Sequence, residues 1–240
     1  LARIIENYAQ VVEKEDPDTK KKTYTQVFPR YHQLDVVERL LADVKANGIG
    51  QRYLIQHSAG SGKSNSIAWL AHQLVTLKND SGKEIFDTVI VVTDRINLDK
   101  QIKDTIKQFM QVSATVGWAK SSGELKQLLN EGKKIIITIV HKFQFILEDI
   151  GEVHKDRNFA ILIDEAHSSQ NGSLSAKMNM VLSGSVYDDE DDLEDKINTI
   201  IEGRKMVKNA SYFAFTATPK NKTLEMFGKK KRLPDGTMKP

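Results

Sequence analysis

Tyr53-Leu54-Ile55-Gln56-His57-Ser58-Ala59-Gly60-Ser61-Gly62-Lys63-Ser64 passes from a short apolar segment, through a loop with two glycines, into a helical stretch. Each residue type in the loop has a physical reason. Gly60 and Gly62 allow turns that point successive backbone N–H groups at one place, the geometry that cradles phosphate oxygens. A helix beginning near Lys63 adds the positive end of its dipole there. Lys63 has the reach to meet β- and γ-phosphates, and the Ser64 hydroxyl suits Mg²⁺. The strict form of this phosphate-loop pattern has glycine at position 57, where this sequence has His57.

Working outward, the chain alternates apolar runs with amphipathic stretches. Leu34, Val37, Leu40, Leu41 and Val44 recur at helical spacing, and Asn47-Gly48 closes that helix. Tyr53–Ile55 reads as a strand before a helix over Lys63–Lys78. Val89–Val92 is a second strand, followed by a helix over Leu98–Met110. A weaker strand at Val112–Val116 precedes a helix near Glu124–Asn130, and Ile135–Val140 precedes a helix over Phe143–Asp149. Phe159–Ile163 and Tyr212–Phe215 supply two further strands. Strands that are apolar throughout, separated by helices, predict a parallel sheet covered on both faces. Right-handed crossovers then make a doubly wound α/β fold, which binds ligands at the carboxyl ends of its strands. Before this region, Lys14–Thr25 is polar and charged, and reads as a linker or exposed loop.

Composition narrows the classes. The chain has 240 residues, 40% hydrophobic and 28% charged, with no cysteine. That excludes a disulfide framework, thiolate metal sites and a cysteine nucleophile. Its six histidines lie far apart with no metal-ligand spacing. No apolar run approaches the roughly 18–20 residues of a membrane span, so no membrane partner is expected. The start, Leu1-Ala2-Arg3-Ile4, has neither an initiator Met nor signal-peptide order, and reads as part of a longer chain. A net charge of +3 is too mild to argue nucleic-acid binding. The acidic run Asp188–Asp195 and the basic clusters Lys20–Lys22 and Lys229–Arg232 read as solvated segments.

One strand end carries further chemistry. Phe159–Ile163 runs directly into Asp164-Glu165-Ala166-His167. Opposite a phosphate loop, an acidic strand end is what a phosphate-cleaving site needs. Asp164 would hold Mg²⁺ and Glu165 would polarise the attacking water.

Together these motifs resemble superfamily 2 helicases and translocases, whose fold is a RecA-like doubly wound parallel sheet with helices on both faces. Ser58–Ser64 is similar to motif I of that family, Asp164–His167 to motif II and Thr216-Ala217-Thr218-Pro219 to motif III. The resemblance implies catalytic roles for Lys63, Asp164 and Glu165, metal ligation by Ser64 and Asp164, and coupling roles for His167, Thr216 and Thr218. Arg30-Tyr31-His32-Gln33 resembles the upstream glutamine motif that reads adenine. It implies that the Gln33 amide pairs with the base and that Tyr31 or Phe28 stacks on it. The ATP-binding set is then Tyr31, Gln33, Ser58, Gly60, Ser61, Gly62, Lys63 and Ser64. Val91–Gln101 resembles motif Ia, with Thr93 and Arg95 as DNA-backbone contacts, and Ile137–Phe143 occupies the place of motif Ib, with Thr138 and Lys142.

Finer features resemble the motor (R) subunit of type I restriction enzymes. These are the upstream Tyr-His-Gln, Asp94-Arg95-x-x-Leu98-x-x-Gln101, Ser-Ser-Gln after His167, and Phe215-Thr216-Ala217-Thr218-Pro219-Lys220. Many members of that family have glycine where Ala217 stands. The resemblance implies a cytoplasmic prokaryotic protein that uses ATP and Mg²⁺ to translocate double-stranded DNA, with methyltransferase (M) and specificity (S) subunits as partners. Residues 1–27 would be a linker or N-terminal segment, 28–227 the first RecA-like domain, and 228–240 a basic tail leading to a second. The sequence shows no second RecA-like domain and no nuclease core. A transition-state arginine would come from that second domain and can be worth about 10³–10⁵ in rate, so the chain alone is expected to hydrolyse ATP poorly. Two alternatives stay open: another superfamily 2 motor (a type III restriction motor or an RNA helicase), or a phosphate-loop module that uses ATP as a switch.

Overall fold

The structure is a computed structural model that describes residues 2–16, 19–58, 60–93, 105–106, 116–119, 121–143, 150, 152–164, 207–219, 221–227, 231–232 and 238–239. In chain order the elements begin with α1 (Ala2–Asn7), β1 (Gln10–Glu15), β2 (Lys22–Val27), α2 (Tyr31–Asn47), β3 (Arg52–Gln56), α3 (Lys63–Thr76) and β4 (Thr88–Thr93). They continue with β5 (Val116–Trp118), α4 (Ser122–Asn130), β6 (Ile135–Ile139), α5 (Val140–Phe143), β7 (Phe159–Asp164), β8 (Ala210–Thr216) and α6 (Asn221–Phe227). Two short strands, β9 (Lys231–Arg232) and β10 (Met238–Lys239), pair with each other.

Six strands form one parallel sheet in the order β3-β8-β7-β4-β6-β5. Both faces of its central strands are buried, as continuous apolar runs require. Alternation along each strand divides the core in two. Val89, Val91, Ile135, Ile137, Ala160, Leu162, Phe213 and Phe215 pack on one side with α2 and α3. Ile90, Val92, Ile136, Phe159, Ile161, Ile163, Tyr212 and Ala214 pack on the other with Leu125 and Leu129 of α4. This is the expected α/β architecture, a RecA-like sheet with helices on both faces.

Helix α2 buries Val37, Leu40, Leu41 and Val44 along one stripe and ends at Gly48, whose φ of 70° suits glycine. Buried Ser211 joins β8 to the entry of β3. Its Oγ accepts the N–H groups of Gly50 at 3.0 Å and Gln51 at 3.3 Å.

Residues 14–25 depart from the expected exposed loop. Strands β1 and β2 pair antiparallel, with Gln10 opposite Val27 and Glu15 opposite Lys22. Val11-Val12 and Thr23-Tyr24-Thr25 are strong strand formers, and they outweigh the charged residues around the turn. Residues before and within this hairpin pack on the main core, among them Ile4, Val12 and Val27. Tyr8 is fully buried, donates from its hydroxyl to Glu38 Oε1 at 2.6 Å, and accepts the Trp69 indole N–H on its carbonyl at 3.0 Å. Arg3 pairs with Glu38 beside it.

Of the other expected elements, the strand begun at Val112 is met at its end by β5, with residues 112–115 outside the described residues. The helices expected over Leu98–Met110 and Phe143–Asp149 fall mostly outside them too. Among the described residues, no helix is long and apolar enough to cross a membrane.

Candidate active site

The phosphate loop leaves β3 at Gln56 and enters α3 at Lys63. Gly60 and Gly62 have φ of 74° and 83°, in the left-handed region that favours glycine. Gly62 is the N-cap of α3, and no side chain caps that helix end. The positive end of the helix dipole therefore faces the loop with no side-chain cap in front of it.

Lys63 and Asp164 meet at this loop. Strand β8 lies between β3 and β7, and the carboxyl ends of all three reach the same level: Gln56 is opposite Thr216, and Asp164 opposite Phe215. Across β8, Lys63 Nζ lies 3.7 Å from Asp164 Oδ1, with the Asp164 side chain 6% and the Lys63 side chain 16% exposed. Little water reaches the pair, so its attraction is screened far less than at the surface. Ser64 is the second residue of α3, in the same first turn as Lys63.

Thr216 ties the loop to β8. Its carbonyl accepts the His57 N–H at 2.8 Å and its hydroxyl accepts the Thr218 N–H at 3.3 Å. Thr216 is fully buried, whereas Thr218 is exposed.

From the other side, α2 holds the loop. Gln33, only 3% exposed, donates from Nε2 to Ser61 O at 3.2 Å and Gly62 O at 3.0 Å. Its Oε1 accepts the Arg30 N–H at 2.8 Å. Both amide hydrogens are thus engaged by the loop, and reading the base would draw on the remaining Oε1 lone pair. His32 Nε2 donates to Ser61 O at 3.1 Å, and His57 Nδ1 lies 2.7 Å from Ser61 Oγ. Burial first, then the positive charges of His32 and Lys63, holds the His57 pKa below the ordinary histidine value.

Beside the loop opens a cleft of about 290 Å³, lined by Gln26, Val27, Phe28, Arg30, Gln33, Gly60, Ser61, Gly62 and Asn65. One wall is the end of β2 and the residues that follow it. Phe28 lines the cleft and is half exposed, while Tyr31 is 81% exposed and does not line it.

The expected site residues thus fall into three groups. Gln33, Ser61, Gly62, Lys63, Ser64, Asp164 and Thr216 lie around the loop, with Ser58 and Gly60 exposed on it. Thr93, the last residue of β4, and Thr138, the last but one of the neighbouring β6, are the expected backbone contacts. Both are fully buried, with Thr93 Oγ1 3.5 Å from Thr138 O. Lys142 is partly buried, with Nζ 3.5 Å from Ala119 O. Arg95, Glu165 and His167 lie outside the described residues, as does the acidic run Asp188–Asp195. The sequence reading missed His32, Asn65, Gln26 and Val27. The position of His32 in the first turn of α2, beside Gln33, was the available signal for one of them.

Mg²⁺ fits the groups present. A buried carboxylate and a serine hydroxyl are hard oxygen donors, and Mg²⁺ commonly uses one or two carboxylates with phosphate oxygens and water. Among the described residues no group of three or more His, Cys, Asp or Glu forms a self-contained metal site.

Fold and loop together define a phosphate-loop domain of the RecA-like, helicase type. The chain belongs to the SWI2/SNF2 ATPase family, whose model matches residues 32–233. It is 25% identical over 194 residues to the type I restriction enzyme SauCOLORF180P endonuclease subunit of Staphylococcus aureus, covering 80% of this chain and 17% of that one. It is 29% identical over 209 residues to the type I restriction enzyme HindI endonuclease subunit of Haemophilus influenzae, covering 79% and 17%. The chain therefore spans about one sixth of the length of these curated relatives. Among solved structures it is similar to the Sulfolobus solfataricus SWI2/SNF2 ATPase core in complex with dsDNA, with 16% identity, a TM-score of 0.47, and 80% and 32% of the two chains covered.

Proposed function

We propose that this chain is the first motor domain of a type I restriction endonuclease subunit, using ATP to translocate double-stranded DNA. The observation that carries the reading is the Lys63–Asp164 pair, held across β8 at the mouth of an uncapped helix N-terminus. A switch needs the phosphate loop. Switches and motors both use an acidic strand end to hold Mg²⁺. What favours turnover is Glu165, next in sequence after Asp164, since a pure switch has little need of a residue to activate water.

In this reading the N–H groups at the start of α3 and the Lys63 ammonium bind the β- and γ-phosphates. Gln33, through Ser61 and Gly62, holds the loop in place. Ser64 and Asp164 would hold Mg²⁺, which when bound would supply positive charge to the phosphate oxygens. Glu165, next after the end of β7, orients the attacking water and takes its proton. Thr216 and Thr218 pass the nucleotide state from the loop along β8, and His167 takes part from motif II. DNA is gripped beyond the ends of β4 and β6, with Arg95 and Lys142 as cationic contacts and Thr93 and Thr138 at the strand ends. The methyltransferase and specificity subunits supply the target, in the prokaryotic cytoplasm.

The test is ATPase activity of the longer parent protein with its methyltransferase and specificity partners, on linear duplex DNA with and without the recognition site. Site-dependent hydrolysis lost in Lys63→Ala is the expected result. Stimulation equal on any DNA would refute the restriction assignment, and stimulation by RNA would point to a different superfamily 2 motor. Glu165→Gln should trap ATP in a motor and change little in a switch.

A further inference from the structure

The residue that breaks the phosphate-loop pattern is built into the loop. A glycine at position 57 is not required by the backbone, since His57 does not have positive φ while Gly60 and Gly62 do. Instead its main chain extends the β3–β8 ladder through the N–H bond to Thr216 O at 2.8 Å. Its side chain turns back under the loop, 5% exposed, with Nδ1 2.7 Å from Ser61 Oγ. The ring is 6.2 Å from Phe215 of β8 and 5.5 Å from His32 of α2. Because His32 donates to the Ser61 carbonyl at 3.1 Å, Ser61 is held through its hydroxyl from His57, just past β3, and through its carbonyl from α2.

We propose that His57 is a positioning residue for nucleotide phosphate binding: it fills the space a glycine would leave and fixes Ser61, and with it the N–H groups of the loop. The inference deepens the ATP-site reading above and rests on it. A loop residue ordered before the ligand arrives loses less freedom on binding, so the hydrogen bond stabilises the liganded state through preorganisation. His57 touches no phosphate in this account. It acts through Ser61.

The experiment is equilibrium titration of the full-length protein with MgATP and, separately, with inorganic tripolyphosphate, alongside a melting curve. His57→Gly and Ser61→Ala should each weaken both ligands by the same factor, about three- to tenfold, the worth of one net hydrogen bond. The double substitution should be no weaker than the worse single one, because both remove one contact. His57→Asn, whose amide sits near the place of Nδ1, should restore binding. Unchanged binding in His57→Gly, or losses that multiply in the double variant, would overturn the proposal. So would a loss confined to ATP, which would trace to the base cleft. Lys63→Ala is the control that separates the two readings. If it leaves MgATP binding intact, the ATP-site reading itself fails. If it abolishes binding while His57→Gly has no effect, only the positioning role fails. Should His57→Gly melt below the assay temperature, Ser61→Ala and His57→Asn decide alone.

Discussion

Replacing Gly62 by alanine tests whether α2 and the phosphate loop form one unit. Gly62 has φ of 83°, where a Cβ costs roughly 1–2 kcal/mol. An added Cβ would also stand 2.4 Å from Gln33 Nε2, far inside contact distance. The Gln33 side chain cannot swing clear without loss, since it is buried and hydrogen-bonded to Ser61 O, Gly62 O and the Arg30 N–H. Displacing it forfeits three bonds at about 0.5–1.5 kcal/mol each. Ser61 and Gly62 are partly exposed, so water recovers some of that, and the low end, about 1.5–2 kcal/mol in all, applies. With the backbone cost the sum is about 2.5–4 kcal/mol, or roughly two to three decades of affinity at about 1.4 kcal/mol per decade. An unliganded loop can relax, so the loss should appear in MgATP affinity more than in melting temperature. Fluorescent-nucleotide titration of the full-length protein measures it. In a Gln33→Ala background the obstacle is gone, and Gly62→Ala should then cost only the backbone part, roughly tenfold. Affinity within about threefold of wild type, or the same loss with and without Gln33, would refute the reasoning.

Tyr8→Ala should destabilise the protein by about 3–5 kcal/mol in urea denaturation, and Tyr8→Phe by only about 1 kcal/mol, since the latter removes just the bond to Glu38. An alanine variant within about 1 kcal/mol of wild type would mean the N-terminal segment does not hold to the core. Ser211→Ala leaves the Gly50 and Gln51 N–H groups without their buried acceptor; a loss of about 1–3 kcal/mol and faster amide exchange at both residues is expected, and unchanged exchange would contradict it. Acid should weaken the fold through His57 and His72, whose pKa values are held down chiefly by burial. The unfolded chain protonates first as pH falls below about 6.5, so their contribution is complete above that pH and is lost as pH falls toward and through the depressed folded values. Melting temperature should therefore drop on acidification through this window, and a combined His57→Asn, His72→Gln variant should flatten the drop. An equal drop in that variant would assign it to other groups.

The sheet was legible because its strands are buried on both faces. Val89–Val92, Ile135–Ile139 and Phe159–Ile163 are apolar without alternation, which only a doubly covered strand tolerates. The phosphate loop was legible because glycine spacing, Lys63 and Ser64 are local requirements. The hairpin was not, because the charged run Lys14–Lys22 covers the turn and the strand ends beside it, leaving only the short strand-forming stretches Val11-Val12 and Thr23-Tyr24-Thr25 on either side. Gln33 shows a different limit. Its place before the loop identified it, but its amide is engaged by Ser61 and Gly62, a partnership that depends on how α2 lies beside α3. The same holds for His57, which reads as a blemish in the pattern until Ser61 is seen beside its ring.

The strand order explains why so few residues can govern the site. With β8 between β3 and β7, Thr216 bonds the loop entrance at His57 and directly follows Phe215, the residue opposite Asp164. A displacement of the loop crown reaches Ser61, passes through the His57 ring to its backbone, and meets β8 at the Thr216 carbonyl. Each of those steps is a hydrogen bond, Ser61 to His57 at 2.7 Å and His57 to Thr216 at 2.8 Å. The Thr216 hydroxyl extends the path to the Thr218 N–H, where the chain returns to the surface. A pattern-restoring glycine at position 57 would keep the backbone step and cut the side-chain one. If nucleotide state travels by this path, His57→Gly should therefore separate two properties that a motor normally links, leaving hydrolysis less dependent on DNA even where saturating ATP offsets the weaker binding.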